Sequence, residues 1–237
     1  MLALWDAGQD RSLSARGLAL LEASAPGQPA AELAGWPVGT RDAALLTLHE
    51  RLFGNAVDGW LKCPACDATI DVAFRTSDVR APAASVAVVD VDVVGFRVQA
   101  RLPHSADLIA VEAEADPARA ERALFERCVV AAEHDGQPVT AADLPAAAVT
   151  AVGTALTAAD PQAEILLDLA CPECAATTVA PFDIAVQLWA RLDHWARAML
   201  AAVDAIAARY GWSEAAILDL TPRRRQAYLD LIASTAR

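Results

Sequence analysis

Two short stretches carry the residues best equipped for chemistry: CPACDATIDVAF at 63–74 and CPECAATTVAPF at 171–182. They lie 108 positions apart and agree at six of their twelve places: Cys63/Cys171, Pro64/Pro172, Cys66/Cys174, Ala68/Ala176, Thr69/Thr177 and Phe74/Phe182. A Cys-Pro-x-Cys turn aims two sulfurs and several backbone N–H groups at one point, and two such turns supply the four thiolates that zinc takes at tetrahedral geometry. One CxxC alone could be a redox pair at a helix N-terminus or two cysteines in an ordinary loop. The matched pair, with its shared Pro, Ala-Thr and Phe, points instead to structural Zn2+ held by Cys63, Cys66, Cys171 and Cys174. Zinc knuckles commonly place glycine after the second cysteine, where φ tends to be positive. Here Asp67 and Ala175 occupy that place, and Asp tolerates the conformation while Ala does so poorly.

Each copy has the character of half a zinc ribbon, so the metal would tie two sequence-distant hairpins into one unit. Closing a loop of about 100 residues restricts the unfolded chain more than closing a short one, with a logarithmic dependence. Four thiolates leave no open position for water, which argues against Lewis-acid catalysis there. The fifth cysteine, Cys128, sits in the apolar helical run ALFERCVVAA and is expected to be a buried small hydrophobe. A thiol enzyme would require it to have a low pKa.

The elements that must position these turns follow from hydrophobic periodicity. Residues 11–23 and 41–53 repeat apolar positions at helical spacing, with Thr40 a candidate N-cap for the second and Gly54 its stop. Between them APGQPAAELAGWPVG is rich in turn formers. Residues 86–102 alternate strictly: Val89, Val91 and Val93 against Asp90 and Asp92, then Phe96, Val98, Ala100 and Leu102 against Arg97, Gln99 and Arg101. That pattern predicts two strands with one buried face and an acid–arginine ladder on the other. SADLIAVEA suggests a short helix. Asp116-Pro117 opens another, running to about 132, and residues 144–160 form a third.

AEILLDLA then leads as a strand into the second cysteine pair. From Asp183 to Tyr210 the apolar set Ala185, Leu188, Trp189, Leu192, Trp195, Met199, Val203 and Ile206 keeps helical spacing, which leaves His194 on the solvated face. Gly211 ends this helix. Ser213 and Thr221-Pro222 start two short helices. The fold class is therefore α+β: a small antiparallel sheet with zinc-pinned hairpins, flanking helices and a long C-terminal helix. The expected organisation is an α+β domain over 1–182 and a helical extension over 183–237.

Composition narrows the function. The net charge is −12 and Lys62 is the only lysine, so the chain lacks the basic stripe that phosphate contacts need, and broad nucleic-acid binding is disfavoured. No run of 18 apolar residues is present to span a membrane. The N-terminal MLALWDAGQDRSLSARG lacks the features of a secretory signal, so a cytoplasmic protein with reduced thiols is expected. There is no GxxxxGK[ST], GxGxxG, GxSxG or HExxH, and His49, His104, His134 and His194 are scattered. Arg223 to Arg225 form either a solvated face or a contact for an acidic partner.

The stretches TRDAALLTLHERLFG, RLPHSADLIAV, DPQAEILLDLACPEC, FDIAVQLW and YGWSEAAILDLTPRRRQAYLDLI, together with the paired CPxC turns, resemble proteins of phage-like contractile injection systems and contractile-tailed phages. That family is similar to the baseplate hub assembly proteins of T-even phages. The resemblance implies a non-enzymatic chaperone or small component of the baseplate hub, with baseplate, spike or hub proteins as partners. It carries over no catalytic residue, only the four cysteines as zinc ligands. The alternative, motivated by the CPxC pairs alone, is a zinc-ribbon module for nucleic acid or regulation.

Overall fold

The computed structural model describes residues 1–84 and 86–235. In chain order its helices and strands are α1 (Leu2–Gly8), α2 (Leu13–Ser24), α3 (Ala30–Ala34), α4 (Val38–Phe53), β1 (Ala56–Lys62), β2 (Thr69–Arg75), β3 (Val88–Val93), β4 (Phe96–Arg101), α5 (Ser105–Val111), α6 (Pro117–Cys128), β5 (Val129–His134), β6 (Gln137–Pro138), α7 (Ala146–Ala159), β7 (Ile165–Ala170), β8 (Thr177–Phe182), α8 (Ile184–Tyr210), α9 (Glu214–Leu218) and α10 (Pro222–Thr235). The expected mixture of helices, small antiparallel sheets and a long C-terminal helix is what the chain adopts. It divides into two compact units, one of Asp10–Leu188 and one of Met1–Gln9 with Trp189–Arg237.

In the larger unit β1–β2 and β7–β8 are separate hairpins, and β3-β4-β5-β6 form a four-stranded sheet. The alternation in 86–102 becomes β3 and β4, joined by Val94 and Gly95 at φ 51 and 79, the left-handed pair that a two-residue hairpin turn requires. Val89, Val98, Ala100 and Ala132 on the inner face pack against Phe125 of α6 and against Ala148 and Val152 of α7. Ala148 and Val152 are fully buried, and their small size lets the alanine-rich α7 lie close on the sheet. On the outer face Arg97 donates to Asp92 (3.2 Å) and Gln99 to Asp90 (2.8 Å). The expected ladder stops there: Arg101 lies opposite Val88, which offers no acid, and pairs with Asp107 instead.

Two other local expectations are corrected. The helix opened by Asp116 ends at Cys128 rather than near 132, and Val129–His134 becomes β5, with Val98 opposite Ala132. The free edge of β4 and the β-branched Val129 and Val130 overrule a helical periodicity that a short apolar run cannot sustain. Thr40 is not the cap of α4, which begins at Val38. The Gly39 N–H is instead taken by Asp160 Oδ2 at 2.9 Å, from 121 residues away. Gly54 does end the helix, at φ 83. The turn-rich stretch before α4 contains the short α3.

In the smaller unit Trp5 Nε1 donates to Asp193 at 2.8 Å, and a Cβ on Gly8 would strike the Trp189 ring. Ala196, Ala202, Ile206 and Ile217 are buried, and His194 is exposed, as expected. Gly211, at φ 70, follows α8, and Ser213 Oγ accepts from Ala216 N at the start of α9. Tyr210, Trp212 and Tyr228 form an aromatic cluster with centroids 4.9–5.4 Å apart.

Candidate metal centre

The two hairpins reach the cysteines in the same way. In the first, Lys62 faces Thr69 as the last paired position; Cys63 N then donates to Ala68 O (2.8 Å) and Asp67 N to Cys63 O (2.9 Å). In the second, Ala170 faces Thr177; Cys171 N donates to Ala176 O (2.9 Å) and Ala175 N to Cys171 O (3.0 Å). Asp67 and Ala175 have φ 61 and 58, so both positions after the second cysteine adopt the left-handed conformation that the motif demands. The shared phenylalanines also meet, Phe74 and Phe182 packing edge to face at 5.0 Å.

Protein contacts bring the hairpins into register. Thr76, just after β2, donates to Glu50 Oε1 of α4 (2.6 Å), and Arg80 donates to the same oxygen. Gln162, 2% exposed, accepts from Ala81 N (2.7 Å) and donates to Val79 O (3.2 Å). It thereby fastens the exit of the first hairpin to the approach of the second. Gln187 at the start of α8 donates to Asp58 O of β1 at 3.2 Å.

The four sulfurs consequently converge: those of Cys63, Cys66, Cys171 and Cys174 all lie within 4.8 Å of one another. Cys63 Sγ is 3.7 Å from Cys174 Sγ, and Cys66 Sγ is 3.6 Å from Cys171 Sγ. All four are free thiols, with Cys63 and Cys171 buried and Cys66 and Cys174 exposed. Four sulfurs about 2.3 Å from a tetrahedral ion lie roughly 3.8 Å apart, so the donor set and its spacing fit a divalent metal. Ile70, Leu61, Ala68 and Leu169 pack around the buried pair. The Cys174 backbone N–H beside Cys171 pulls its thiol down to about 7. The Ala68 N–H acts likewise on Cys66, but the neighbouring sulfurs, Cys174 foremost, push that thiol up to about 12. Four thiolates cannot share so small a volume without a cation to offset their repulsion.

Among the described residues this is the only cluster of three or more His, Cys, Asp or Glu side chains spaced to hold a metal. Cys128 is 1% exposed, and burial pushes its thiol up to about 11, the opposite of an activated nucleophile. His49 Nδ1 lies 3.0 Å from Gly54 O. Of the three arginines, Arg225 Nη2 donates to the carbonyls of Leu218 (3.2 Å) and Leu220 (2.9 Å) and closes the end of α9, while Arg223 and Arg224 are exposed.

Sequence reasoning missed one polar hub. Asp107, 2% exposed, accepts from Arg101 Nη1 and Nη2 (2.6 and 2.8 Å), Arg127 Nε (3.0 Å) and His104 N (3.0 Å). Burial opposes its charge, but these donors, Arg101 first, hold the carboxyl down at about 2. Only the His104–Asp107 spacing at a helix start hinted at part of it.

No helix among the described residues is long and apolar enough to cross a membrane. A family model described as T4 bacteriophage base plate protein matches residues 19–186, a span that includes both cysteine turns. No curated protein and no solved structure matches the chain.

Proposed function

The chain belongs to the T4 bacteriophage base plate protein family, and from that premise we propose a non-enzymatic assembly protein for the baseplate hub of a phage-like contractile injection system. In this reading it acts as a chaperone or small component, working in the cytoplasm on other baseplate, spike or hub proteins. Cys63, Cys66, Cys171 and Cys174 hold a structural zinc, which locks two hairpins from distant parts of the chain. The convergence of four thiols on one point carries this reading. A sphere completed by four protein sulfurs has no place for substrate or water, so the metal would supply rigidity rather than chemistry. The raised thiol of Cys128 and the absence of nucleophile or phosphate-binding motifs support a non-enzymatic role. The net charge of −12 weighs against the nucleic-acid alternative.

Two experiments test the two halves separately. Elemental analysis under reducing conditions, with thiol titration before and after chelation, should give one zinc per chain and four thiols that become titratable only on chelation. Five titratable thiols and no metal would return the redox reading to the front. Deleting the gene should abolish assembled particles, and the tagged protein should co-purify with a hub or spike protein. Normal particles in the deletion strain would overturn the assembly role.

A further inference from the structure

The sulfurs of the metal centre touch in a pattern of their own. Two sulfur–sulfur contacts have hydrogen-bonding geometry, Cys66 to Cys171 at 3.6 Å and Cys63 to Cys174 at 3.7 Å, and both run between the hairpins rather than within a CPxC turn. Each contact pairs an exposed cysteine with a buried one: Cys66 and Cys174 are open to solvent, and Cys171 and Cys63 are not. A reagent from solvent therefore meets one sulfur of each pair first, with the second already against it.

This pairing has support other than an ion. Gln162 bonds to the backbone at Val79 and Ala81, Gln187 bonds to Asp58 O, and Phe74 packs on Phe182. These protein contacts hold the hairpins together, so the facing sulfurs stay near one another when a metal leaves. A disulfide needs its sulfurs about 2.0 Å apart. From 3.6 Å that is a closure of roughly 1.6 Å, which side-chain rotation shared between two cysteines can supply. Thiols held in contact also react far faster than thiols that must first meet.

We propose that the four cysteines are also a peroxide-responsive modification site, in which oxidation exchanges the ion for two disulfides across the hairpins, Cys66–Cys171 and Cys63–Cys174. Hydrogen peroxide transfers one oxygen to the exposed Cys66 sulfur, giving a sulfenic acid and a first water. The Cys171 sulfur attacks that sulfur, the S–S bond forms, and the hydroxyl leaves with a proton as a second water. Two thiols and one peroxide thus become one disulfide and two waters, the sulfurs giving up the two electrons that the peroxide gains. Cys174 and Cys63 repeat the step with a second peroxide, and no thiolate remains to hold the ion. Cys128, buried against α7 and the sheet, stays reduced. The oxidised chain loses its metal but keeps its hairpins joined, because the disulfides close the same loop of about 100 residues that the ion closes. The inference rests on the reading of the four cysteines as one metal centre, but the disulfide map is read equally on a chain that binds no ion. Either reading can therefore fail without the other.

The test treats the full chain, freed of reductant, with excess hydrogen peroxide, blocks the remaining thiols, and maps the disulfides by mass spectrometry after trypsin without reduction. Trypsin leaves Cys63 and Cys66 together on residues 63–75, and Cys171 and Cys174 together on residues 128–191. Bonds across the hairpins join these two peptides, whereas bonds within a turn leave them apart. The expected result is the joined pair, with fragmentation placing Cys66 on Cys171 and Cys63 on Cys174, and one blocked thiol at Cys128. Any bound metal should be released in full, and the oxidised chain should melt above the chelated, reduced chain. Separate peptides, a Cys66–Cys174 bond, cysteines that survive peroxide as thiols or pass on to sulfinic acid, or a melting curve no higher than that of the chelated chain would each overturn the proposal.

Discussion

Replacing Ala175 by glycine should stabilise this protein, although it removes a side-chain atom and adds freedom to the unfolded chain. Ala175 sits at φ 58, where a Cβ approaches its own carbonyl, and that conformation costs a non-glycine residue about 1–2 kcal/mol. Glycine relieves the strain but gives back about 0.4–1 kcal/mol through unfolded-state entropy. Ala175 is exposed, so losing its methyl forfeits no packing. The net gain expected for Ala175→Gly is about 0.5–1 kcal/mol, or a rise in Tm of about 1–4 °C for a chain of this size. The paired hairpin provides an internal control. Asp67 holds the equivalent position at φ 61 and is also exposed, but aspartate enters this region more readily, so Asp67→Gly should gain less and Asp67→Ala should lose stability. The assay is urea denaturation at a fixed free zinc concentration, because metal bound to the folded state shifts the apparent stability. A destabilised Ala175→Gly, or a larger gain from Asp67→Gly, would refute the account of the two turns.

Other perturbations have equally definite outcomes. Cys63→Ser should lose the bound metal and more than about 3 kcal/mol of stability, since structural zinc contributes roughly 10–16 kcal/mol in small fingers; an unchanged melting curve would contradict this. Gly39→Ala should cost about 2–4 kcal/mol by urea denaturation, because the new Cβ collides with the Asp160 carboxylate and disrupts its cap on α4. Asp107→Ala should cost about 1–3 kcal/mol, since it removes the buried acceptor shared by Arg101, Arg127 and the His104 N–H while the two arginines stay open to water; a loss below about 0.5 kcal/mol would show the hub to be superficial. Asp42 makes a pH prediction. Its carboxyl rises from 3.8 to about 6 on folding, so its contribution is fully present below about pH 4 and is lost as pH rises to about 6, about 3 kcal/mol in all. Measured across pH 4–7, the parent should lose more stability than Asp42→Asn, and parallel profiles would exclude this origin.

Much of the fold was legible because local patterns carried it. The strict alternation of 86–102 became β3 and β4, Asp116-Pro117 opened α6, and the apolar spacing after Asp183 became the 27-residue α8. The cysteine turns were legible for the same reason: a knuckle is a local structure, and its positive φ could be anticipated from its spacing. The failures occurred where a distant partner overruled a local preference. Val129–His134 had helical neighbours but found the edge of β4. Thr40 was a suitable cap, yet Asp160 reached the helix first from another part of the chain.

By itself, the sequence determined which residues could form two matching thiol turns, because donor type and spacing are properties of a few consecutive positions. Only the tertiary structure decided that the turns meet. That convergence depends on Gln162 fastening two strands' approaches, on Thr76 and Arg80 converging on Glu50, and on Phe74 meeting Phe182. The same holds for Asp107 with its two arginines and for Asp160, which reaches the Gly39 N–H from 121 residues away. These are contacts between side chains far apart in the chain, whose energies come from burial and exclusion of water, and burial exists only once the chain has folded.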